Sequence, residues 1–495
     1  MSKITPPYYP IIYVRGFAMT QSEIEETVAT PYMGLNLGST KIRQEWDGTI
    51  TKHIFESPLI RLIKDYGYTD NYLNGEEIRS EIPSMSVIIH RYYDTASEQV
   101  GEGNRLSIVE AAKELGELIK KIKRQVCGED QDALNAFRVY LVAHSMGGLI
   151  CRCFLQNESV SDSETKALVD KVFTYGTPHN GIEIGGMNVP SFMDIWDIDN
   201  FNRDNMANYL DLNNPGDSVH SLDGKFEPDR FFCLVGTNHK DYNAAKYAVG
   251  PMSDGLVKIK NATVKGAPRA FTHHSHSGHF GMVNSEEGYQ NLVRFLFGNV
   301  RINGVLVPEN LPLPPTVKEA YDENKEIRAS YLFESTVTPR GAFSFKLTER
   351  KIDNASAVFR TFDEMFRPQR AGRDSPRNPV LFSVFLDSSK ITHGRTIVFT
   401  IDLVVRTTEY RIEKMLFLSK RIPEENLYRE KLTVRSTRSE NGWNIRYIPT
   451  DEEWGEKRGK DVSTDSRGIY IPLSSKKGFK GKLYLDIEPW NQIDS

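Results

Sequence analysis

A serine between small residues is the first candidate for chemistry in this sequence. Ser145 lies in the string AHSMGG, with Ala143 two residues before it and Gly147 two residues after it. This is the G-x-S-x-G pattern with alanine in place of the first glycine. An apolar run typical of a strand, 137–142, precedes it, and a helix-compatible run, 149–155, follows. A sharp strand–turn–helix connection needs small residues and exposes the serine at its tip, so Ser145 is the predicted nucleophile.

A serine hydroxyl is a weak nucleophile at neutral pH and needs a base that is itself held by an acid. Two later loops offer these groups. Asp254 follows the predicted strand 231–236, and His279 lies 25 residues further along. We predict that Asp254 orients the base and that His279 is the base. Asp241 and Asp223 are the alternatives for the acid.

The stretch 273–279 also permits a different interpretation, a transition-metal site. It contains four histidines: His273, His274, His276 and His279. On a strand, His274 and His276 would share one face while His273 pointed away, and no cysteine is near them. Nucleophilic attack by a serine needs neither a metal nor an organic cofactor, so we predict none.

Backbone N–H groups aimed at the developing negative charge complete such a site. Met146, the residue after the nucleophile, is the predicted first donor. The predicted strand 10–14 ends abruptly in Arg15-Gly16-Phe17, and Phe17 is the predicted second donor. Three further residues are candidates for contacts with the substrate: Arg15, His144 and Trp196.

Strands alternate with helices through the first 300 residues, which predicts a mainly parallel sheet with helices on both faces. The clearest helix is 107–126, where apolar residues recur every three and four positions. A closing helix is predicted from Glu286 to Phe297, before Gly298. The alternation of strands and helices is interrupted over about 185–228, where the chain has an insertion rich in aromatic and apolar residues. It is either a cap or lid over the site or a pair of helices that only pack.

The bulk properties favour a globular protein of two domains. The chain has 495 residues with 39% hydrophobic and 26% charged residues, and no apolar run is long enough to span a membrane. The N-terminus lacks the features of a signal peptide, so we expect a cytoplasmic protein, or one exported without such a signal. Four cysteines do not make a disulfide framework. The net charge of −4 argues against nucleic acid as a partner.

The character of the sequence changes after residue 300. Residues 301–327 are rich in proline and charge, and we predict a linker there. Regularly spaced strands over 328–495 predict a β-sandwich without a catalytic motif. Residues 301–495 carry 33 Lys and Arg against 28 Asp and Glu. This mildly basic balance makes an anionic membrane surface a candidate partner.

Two motifs resemble those of α/β-hydrolase lipases and esterases, including small bacterial lipases and the lipase-like enzymes that deacylate the inositol of glycolipid anchors. They are Ala143–Gly148 and Gly278–Val283, and the loop Ser253–Val257 resembles the acid-bearing loop of these enzymes. The resemblance covers roughly 8–298. It implies an α/β-hydrolase fold and ester hydrolysis by the residues named above. One departure is Arg15, because the family usually has histidine before the glycine of the oxyanion loop.

These observations predict a serine ester hydrolase acting on lipid or lipid-like esters through an acyl-enzyme. Two alternatives remain. The first is an acyltransferase that uses the same three residues, because their geometry does not distinguish water from another acceptor. The second is an idle hydrolase domain whose β-rich partner domain contacts a membrane or a protein.

Overall fold

In the computed structural model the chain forms two compact units, Met1–Phe297 and Gly298–Gln492. The first corresponds to the predicted catalytic domain, 1–300. The structure describes residues 3–16, 18, 21–35, 39–44, 50–73, 76–184, 187–188, 198–213, 218–241, 249–278, 280–342, 345–349, 356–369, 378–391, 396–413, 419–439, 442–449 and 459–491.

A parallel sheet is the centre of the first unit. The strands of this unit are β1 (Ile11–Val14), β2 (Ser39–Gln44), β3 (Ile50–Phe55), β4 (Thr69–Asp70), β5 (Tyr72–Leu73), β6 (Glu76–Glu77), β7 (Ser86–His90), β8 (Val139–His144), β9 (Val169–Tyr175), β10 (Glu183–Ile184), β11 (Met187–Asn188), β12 (Phe231–Gly236) and β13 (Arg269–Thr272). Seven of them pair in the order β13-β12-β9-β8-β1-β7-β4, and every pairing is parallel. The predicted mainly parallel sheet is confirmed.

Helices connect these strands. They are α1 (Gln21–Val28), α2 (Pro58–Tyr66), α3 (Ile108–Cys127), α4 (Gln131–Ala136), α5 (Gly147–Gln156), α6 (Ser163–Ala167), α7 (Arg203–Tyr209) and α8 (Glu286–Phe297), with short 3₁₀ turns at Asp94–Ala96, Ile198–Phe201, Pro228–Arg230 and Ile259–Asn261. The long helix predicted from apolar periodicity is α3. Its start is fixed by a capping box, in which Ser107 and Glu110 satisfy each other's backbone N–H groups.

The central strands are apolar because both faces of the sheet are covered. All six residues of β12 are buried, as are the first five residues of β8. Parallel strands that are covered on both faces have continuous hydrophobic runs rather than alternation. Since all seven strands run the same way, their carboxyl ends share one edge. That edge carries the residues after β1, β8, β12 and β13.

The aromatic insertion is described only in part, because 185–186, 189–197 and 214–217 lie outside the described residues. What is described packs into the domain. Phe201, Met206 and Leu210 are each at most 3% exposed. The buried Arg152 of α5 donates to the carbonyl oxygens of Val219 and Ser221 at 2.8 and 2.7 Å. These parts of the insertion are therefore packed into the first unit. The choice between a lid and a pair of packing helices stays a prediction.

The second unit is β-rich, as predicted. Its strands are β14 (Val300–Asn310), β15 (Ile327–Arg328), β16 (Ser330–Pro339), β17 (Phe359–Thr361), β18 (Val380–Leu386), β19 (Thr396–Thr407), β20 (Tyr410–Glu413), β21 (Ser419–Ile422), β22 (Asn426–Ser439), β23 (Gly442–Pro449), β24 (Lys460–Asp461), β25 (Ser463–Asp465), β26 (Gly468–Ser474) and β27 (Lys480–Pro489). They form antiparallel sheets of five strands (β18-β14-β27-β26-β25), six strands (β17-β16-β19-β22-β23-β24) and three strands (β15-β20-β21). Side chains of the two larger sheets share one hydrophobic core, as expected if the sheets pack face to face.

The prediction of a linker over 301–327 is wrong. Strand β14 pairs with β18 on one side and β27 on the other, so it lies inside the five-stranded sheet. A helix, α9 (Pro315–Asp322), follows it, and one further helix of this unit is α10 (Phe362–Phe366). The prolines have local roles instead: Pro308 lies where the register with β27 shifts, and Pro315 begins α9.

Among the described residues, no helix is both long enough and apolar enough to cross a membrane. The four cysteines are free and buried.

Candidate active site

Ser145 lies between β8 and α5 in a strained backbone conformation. Its φ is +53°, in the left-handed region that residues with a side chain rarely adopt. Two contacts hold it there: its N–H donates to the Tyr175 carbonyl at 2.9 Å, and the Thr177 hydroxyl donates to its carbonyl at 2.8 Å. Strain of this kind costs on the order of 1–3 kcal/mol and persists only where the surroundings enforce it. The predicted strand–turn–helix context of the serine is confirmed.

Three glycines make the turn sterically feasible. A Cβ on Gly147 would lie 2.3 Å from the Val14 carbonyl oxygen, and one on Gly16 would lie 2.6 Å from Cβ of Ser145. A Cβ on Gly148 would meet the Thr177 hydroxyl at 2.2 Å. No side chain fits at these distances. The requirement for small residues therefore extends from the tight turn that carries Ser145, 143–148, to the end of β1; we call this turn the elbow.

The imidazole that contacts the serine is that of His276. Its Nε2 lies 2.9 Å from Ser145 Oγ, and its Nδ1 lies 2.8 Å from Oδ2 of Asp254. A carboxylate only accepts hydrogen bonds, so Nδ1 carries the proton and Nε2 is free to accept one from the serine. From the sequence, His279 is the predicted base. His279 lies outside the described residues, and the structure places His276 there instead.

A tight turn explains the shift by three residues. The N–H of Ser275 donates to the Phe280 carbonyl at 3.0 Å, and the N–H of Met282 donates back to the Ser275 carbonyl at 3.1 Å. Ser275 and Gly281 are therefore paired where the turn begins and ends, and His276 is the first residue after Ser275. β13 ends only four residues before His276. This short distance from the edge of the sheet is the feature of the sequence that favours His276 over His279.

Asp254 lies where the sequence predicted the acid. It is 1% exposed, and its Oδ1 accepts the N–H groups of Leu256 and Val257 at 3.0 and 2.7 Å. Its backbone carbonyl accepts the N–H of His276 at 2.9 Å, so the acid loop holds the histidine through both backbone and side chain. The two alternatives have other partners: Asp241 accepts from Asn238 at 2.5 Å and Asp223 accepts from Asn213 at 3.1 Å.

His144, a candidate for substrate contact, instead faces the histidine loop. Its Nε2 lies 2.9 Å from the backbone carbonyl of His276, and the two rings are 4.8 Å apart. A carbonyl only accepts, so Nε2 of His144 carries a proton. Burial lowers the pKa of His144 well below its ordinary value, and the neighbouring His276 adds to this effect. The ring is therefore neutral at neutral pH.

The remaining candidates are placed as follows. Met146 is 6% exposed and precedes α5, whose first N–H groups point back towards the elbow. The guanidinium of Arg15 donates to the Met33 carbonyl, and burial lowers the pKa of Arg15. Phe17 and Trp196 lie outside the described residues.

The histidines of the stretch 273–279 that the structure describes have separate partners. His274 Nε2 lies 2.8 Å from a carboxylate oxygen of Glu287, whereas His276 contacts Ser145 and Asp254. In the described part of the chain, no group of three or more His, Cys, Asp or Glu side chains is arranged to hold a metal ion.

Comparison with known proteins identifies one family and several similar structures. Residues 96–188 match the family described as PGAP1-like alpha/beta domain, a segment that contains α3, β8, the elbow and α5. No protein among those with curated descriptions matches the sequence.

Two solved structures illustrate the similarity. A phospholipase, PlaB from Legionella pneumophila, is 12% identical, and the alignment covers 80% of this chain and 86% of that one with a TM-score of 0.33. A carboxyl esterase of metagenomic origin, MGS0156, is 13% identical, with 55% and 66% of the two chains covered and a TM-score of 0.31. Identities and scores this low carry no function from these proteins to this chain.

Proposed function

We propose that the chain hydrolyses carboxylic esters with Ser145 as nucleophile. The parallel sheet, the turn that carries Ser145 and the family match over 96–188 support the proposal, because they fit an α/β-hydrolase domain. One observation carries the proposal: an unbroken chain of contacts from Ser145 Oγ through His276 to Asp254, at 2.9 and 2.8 Å. The strained backbone at Ser145 supports it, because strain of this kind clusters at active sites.

The arrangement supports acyl transfer in two stages. His276 Nε2 takes the proton of Ser145 as Oγ attacks the ester carbonyl carbon, and it then gives that proton to the leaving alcohol. The acyl group remains on Ser145 until water, deprotonated by the same nitrogen, releases the free acid. Asp254 holds the imidazole in the required tautomer and stabilises its protonated form.

Stabilisation of the oxyanion falls to backbone N–H groups. Met146 precedes α5, and the N-terminus of a helix favours negative charge. Its N–H is the proposed first donor. The second donor, Phe17, stays a prediction.

The substrate class proposed is a lipid or lipid-like ester. This choice depends on the sequence resemblance and on the apolar insertion, part of which lies outside the described residues. Binding of the β-rich unit to an anionic membrane surface also stays a prediction. Hydrolysis and acyl transfer to another alcohol are separated by product analysis with and without an added acceptor, because an acyltransferase forms new ester faster than free acid.

The first experiment compares three alanine variants of the full chain. Ser145→Ala should abolish labelling by a fluorophosphonate probe, and Ser145→Ala and His276→Ala should each lower kcat on a short-chain ester by about 10⁴-fold or more. His279→Ala is the comparison variant and should retain kcat within about threefold, since His276 Nε2 already lies 2.9 Å from Ser145 Oγ as its base.

Two results would contradict the proposal. Labelling that persists in Ser145→Ala means that another residue is the nucleophile. A large loss in His279→Ala with normal activity in His276→Ala restores the assignment made from the sequence. A series of esters from two to sixteen carbons then decides between esterase and lipase.

A further inference from the structure

Two adjacent tyrosines just after β7 have no role in the proposed triad. Tyr92 and Tyr93 are each only 4% exposed, and their ring centroids are 4.4 Å apart. A buried tyrosine hydroxyl normally has a hydrogen-bond partner. The partners of these two hydroxyls lie on one short stretch of backbone about 75 residues earlier in the chain.

Each hydroxyl binds the backbone next to the end of β1. The hydroxyl of Tyr92 donates to the carbonyl of Arg15 at 2.9 Å and lies 3.4 Å from the carbonyl of Gly16. The N–H of Ala18 donates to the hydroxyl of Tyr93 at 2.8 Å. Burial raises the pKa of Tyr92 well above its ordinary value, so this hydroxyl keeps the proton that it donates. The two tyrosines therefore hold this stretch of backbone on both sides of position 17.

The same backbone lies directly against the elbow. A Cβ on Gly16 would be 2.6 Å from Cβ of Ser145, and a Cβ on Gly147 would be 2.6 Å from the Arg15 carbonyl oxygen. The elbow limits this segment by steric contact, and the tyrosine hydroxyls limit it by hydrogen bonds. Its position is set between the two groups of contacts.

We infer that Tyr92 and Tyr93 are positioning residues: by holding the Arg15 carbonyl and the Ala18 N–H, they fix the backbone beside Ser145, where the oxyanion of the proposed reaction forms. The inference rests on the proposed ester hydrolysis. Donors fixed before the reaction stabilise the developing charge without a cost of reorganisation.

Removal of either hydroxyl should act on the transition state more than on the bound substrate. Tyr92→Phe leaves the Arg15 carbonyl without its donor, and Tyr93→Phe leaves the Ala18 N–H without its acceptor. In each case the segment can rotate, and small displacements of reacting groups cost up to about 10²-fold in rate. We expect kcat and kcat/KM to fall together by about 10- to 100-fold, with KM within about twofold of the wild-type value.

A third tyrosine provides the matched control. Tyr68 is 1% exposed, and its hydroxyl donates to the Tyr9 carbonyl at 2.9 Å, in a part of the unit that takes no part in the proposed site. Tyr68→Phe removes the same kind of buried contact, so it should lower the melting temperature without lowering kcat. The affinity for an arylboronic acid, which forms a tetrahedral adduct with a serine, should fall in Tyr92→Phe and Tyr93→Phe but not in Tyr68→Phe.

The experiment uses the full chain, with melting temperature, kcat, KM and boronate affinity measured for all four proteins. Equal kcat in the wild type and both site variants overturns the inference, as does an effect on KM alone. If one site variant does not fold, the other decides. Absence of ester hydrolysis by the wild type would instead remove the proposed function, so the two failures are distinguishable.

Discussion

Ser145 and His276 lie 2.9 Å apart, yet the contacts that hold them differ in kind. Two hydrogen bonds hold Ser145, and excluded volume adds to them, since Gly16, Gly147 and Gly148 leave no room for larger residues in its turn. The histidine lies in a loop fixed by hydrogen bonds to residues that are distant in the sequence. Its N–H and Nδ1 bind Asp254, 22 positions away, and its carbonyl accepts from His144, 132 positions away.

This difference has consequences for both stability and rate. Steric constraint depends on the close packing of β1, β8 and α5, so a larger residue in the elbow disturbs the sheet domain itself. A hydrogen-bonded loop can lose one contact while the fold persists, and the loss then appears in the rate of the reaction. Substitutions in the two regions should therefore be separable by measuring melting temperature and kcat together.

The largest effect is expected from Asp254→Asn. An amide that donates to Nδ1 of His276 reverses the tautomer of the ring, so that Nε2 carries a proton and no longer accepts one from Ser145. We expect kcat to fall by about 10⁴-fold, with the melting temperature little changed. Asp241→Asn is the control, since the partner described for Asp241 is Asn238 rather than His276. Losses of kcat of similar size in both variants would contradict the role of Asp254 in the proposed mechanism.

Gly147→Ala tests the steric side of the comparison. The new Cβ would lie 2.3 Å from the Val14 carbonyl oxygen, a contact that only movement of β1 relieves. Overpacking of this kind costs about 1–3 kcal/mol or more. At about 2–4 °C for each kcal/mol, the melting temperature should fall by up to roughly 12 °C.

The control for this variant is Gly116→Ala in α3. There the nearest atoms to a new Cβ are the Ser161 hydroxyl oxygen at 3.1 Å and Cε2 of Phe154 at 3.2 Å, so the neighbours need to move by only a few tenths of an ångström. Alanine is also the better helix former, which offsets this cost, so the melting temperature should fall much less than in Gly147→Ala. Equal losses in the two variants would show that the elbow is no tighter than an ordinary helix contact.

The same difference explains how much of the site could be predicted from the sequence. Steric requirements leave a local signal, and the small residues around Ser145 predicted both the nucleophile and the fold around it. Asp254 was predicted because a turn after a strand also has a local signal. The sequence places the histidine three residues too far along, because hydrogen bonds to Asp254 and His144 leave no mark in the residues near His276, and the short distance from the end of β13 is a weak local signal.

The second unit shows the same limit. Four prolines within 305–315 suggested a linker, since proline removes a hydrogen-bond donor from a strand. In the structure β14 tolerates Pro308 where its register shifts, and its partners β18 and β27 lie about 80 and 180 residues further along the chain. Pairing over such separations is decided by packing of the whole unit, which local composition does not express.

The smallest predicted effect belongs to His144, whose hydrogen bond to the histidine loop can be removed while its ring contact is kept. His144→Phe keeps an aromatic ring against His276 but removes the N–H that binds its carbonyl. An unsatisfied buried carbonyl costs about 1–3 kcal/mol, of which a part should appear as a fall in kcat of about tenfold. His144→Gln can donate to the same carbonyl and should restore kcat to within about threefold of the wild type. A role in substrate contact, which the sequence first suggested for His144, would instead raise KM in both variants. Equal kcat in the phenylalanine variant and the wild type would mean that the contacts with Asp254 hold the loop without His144.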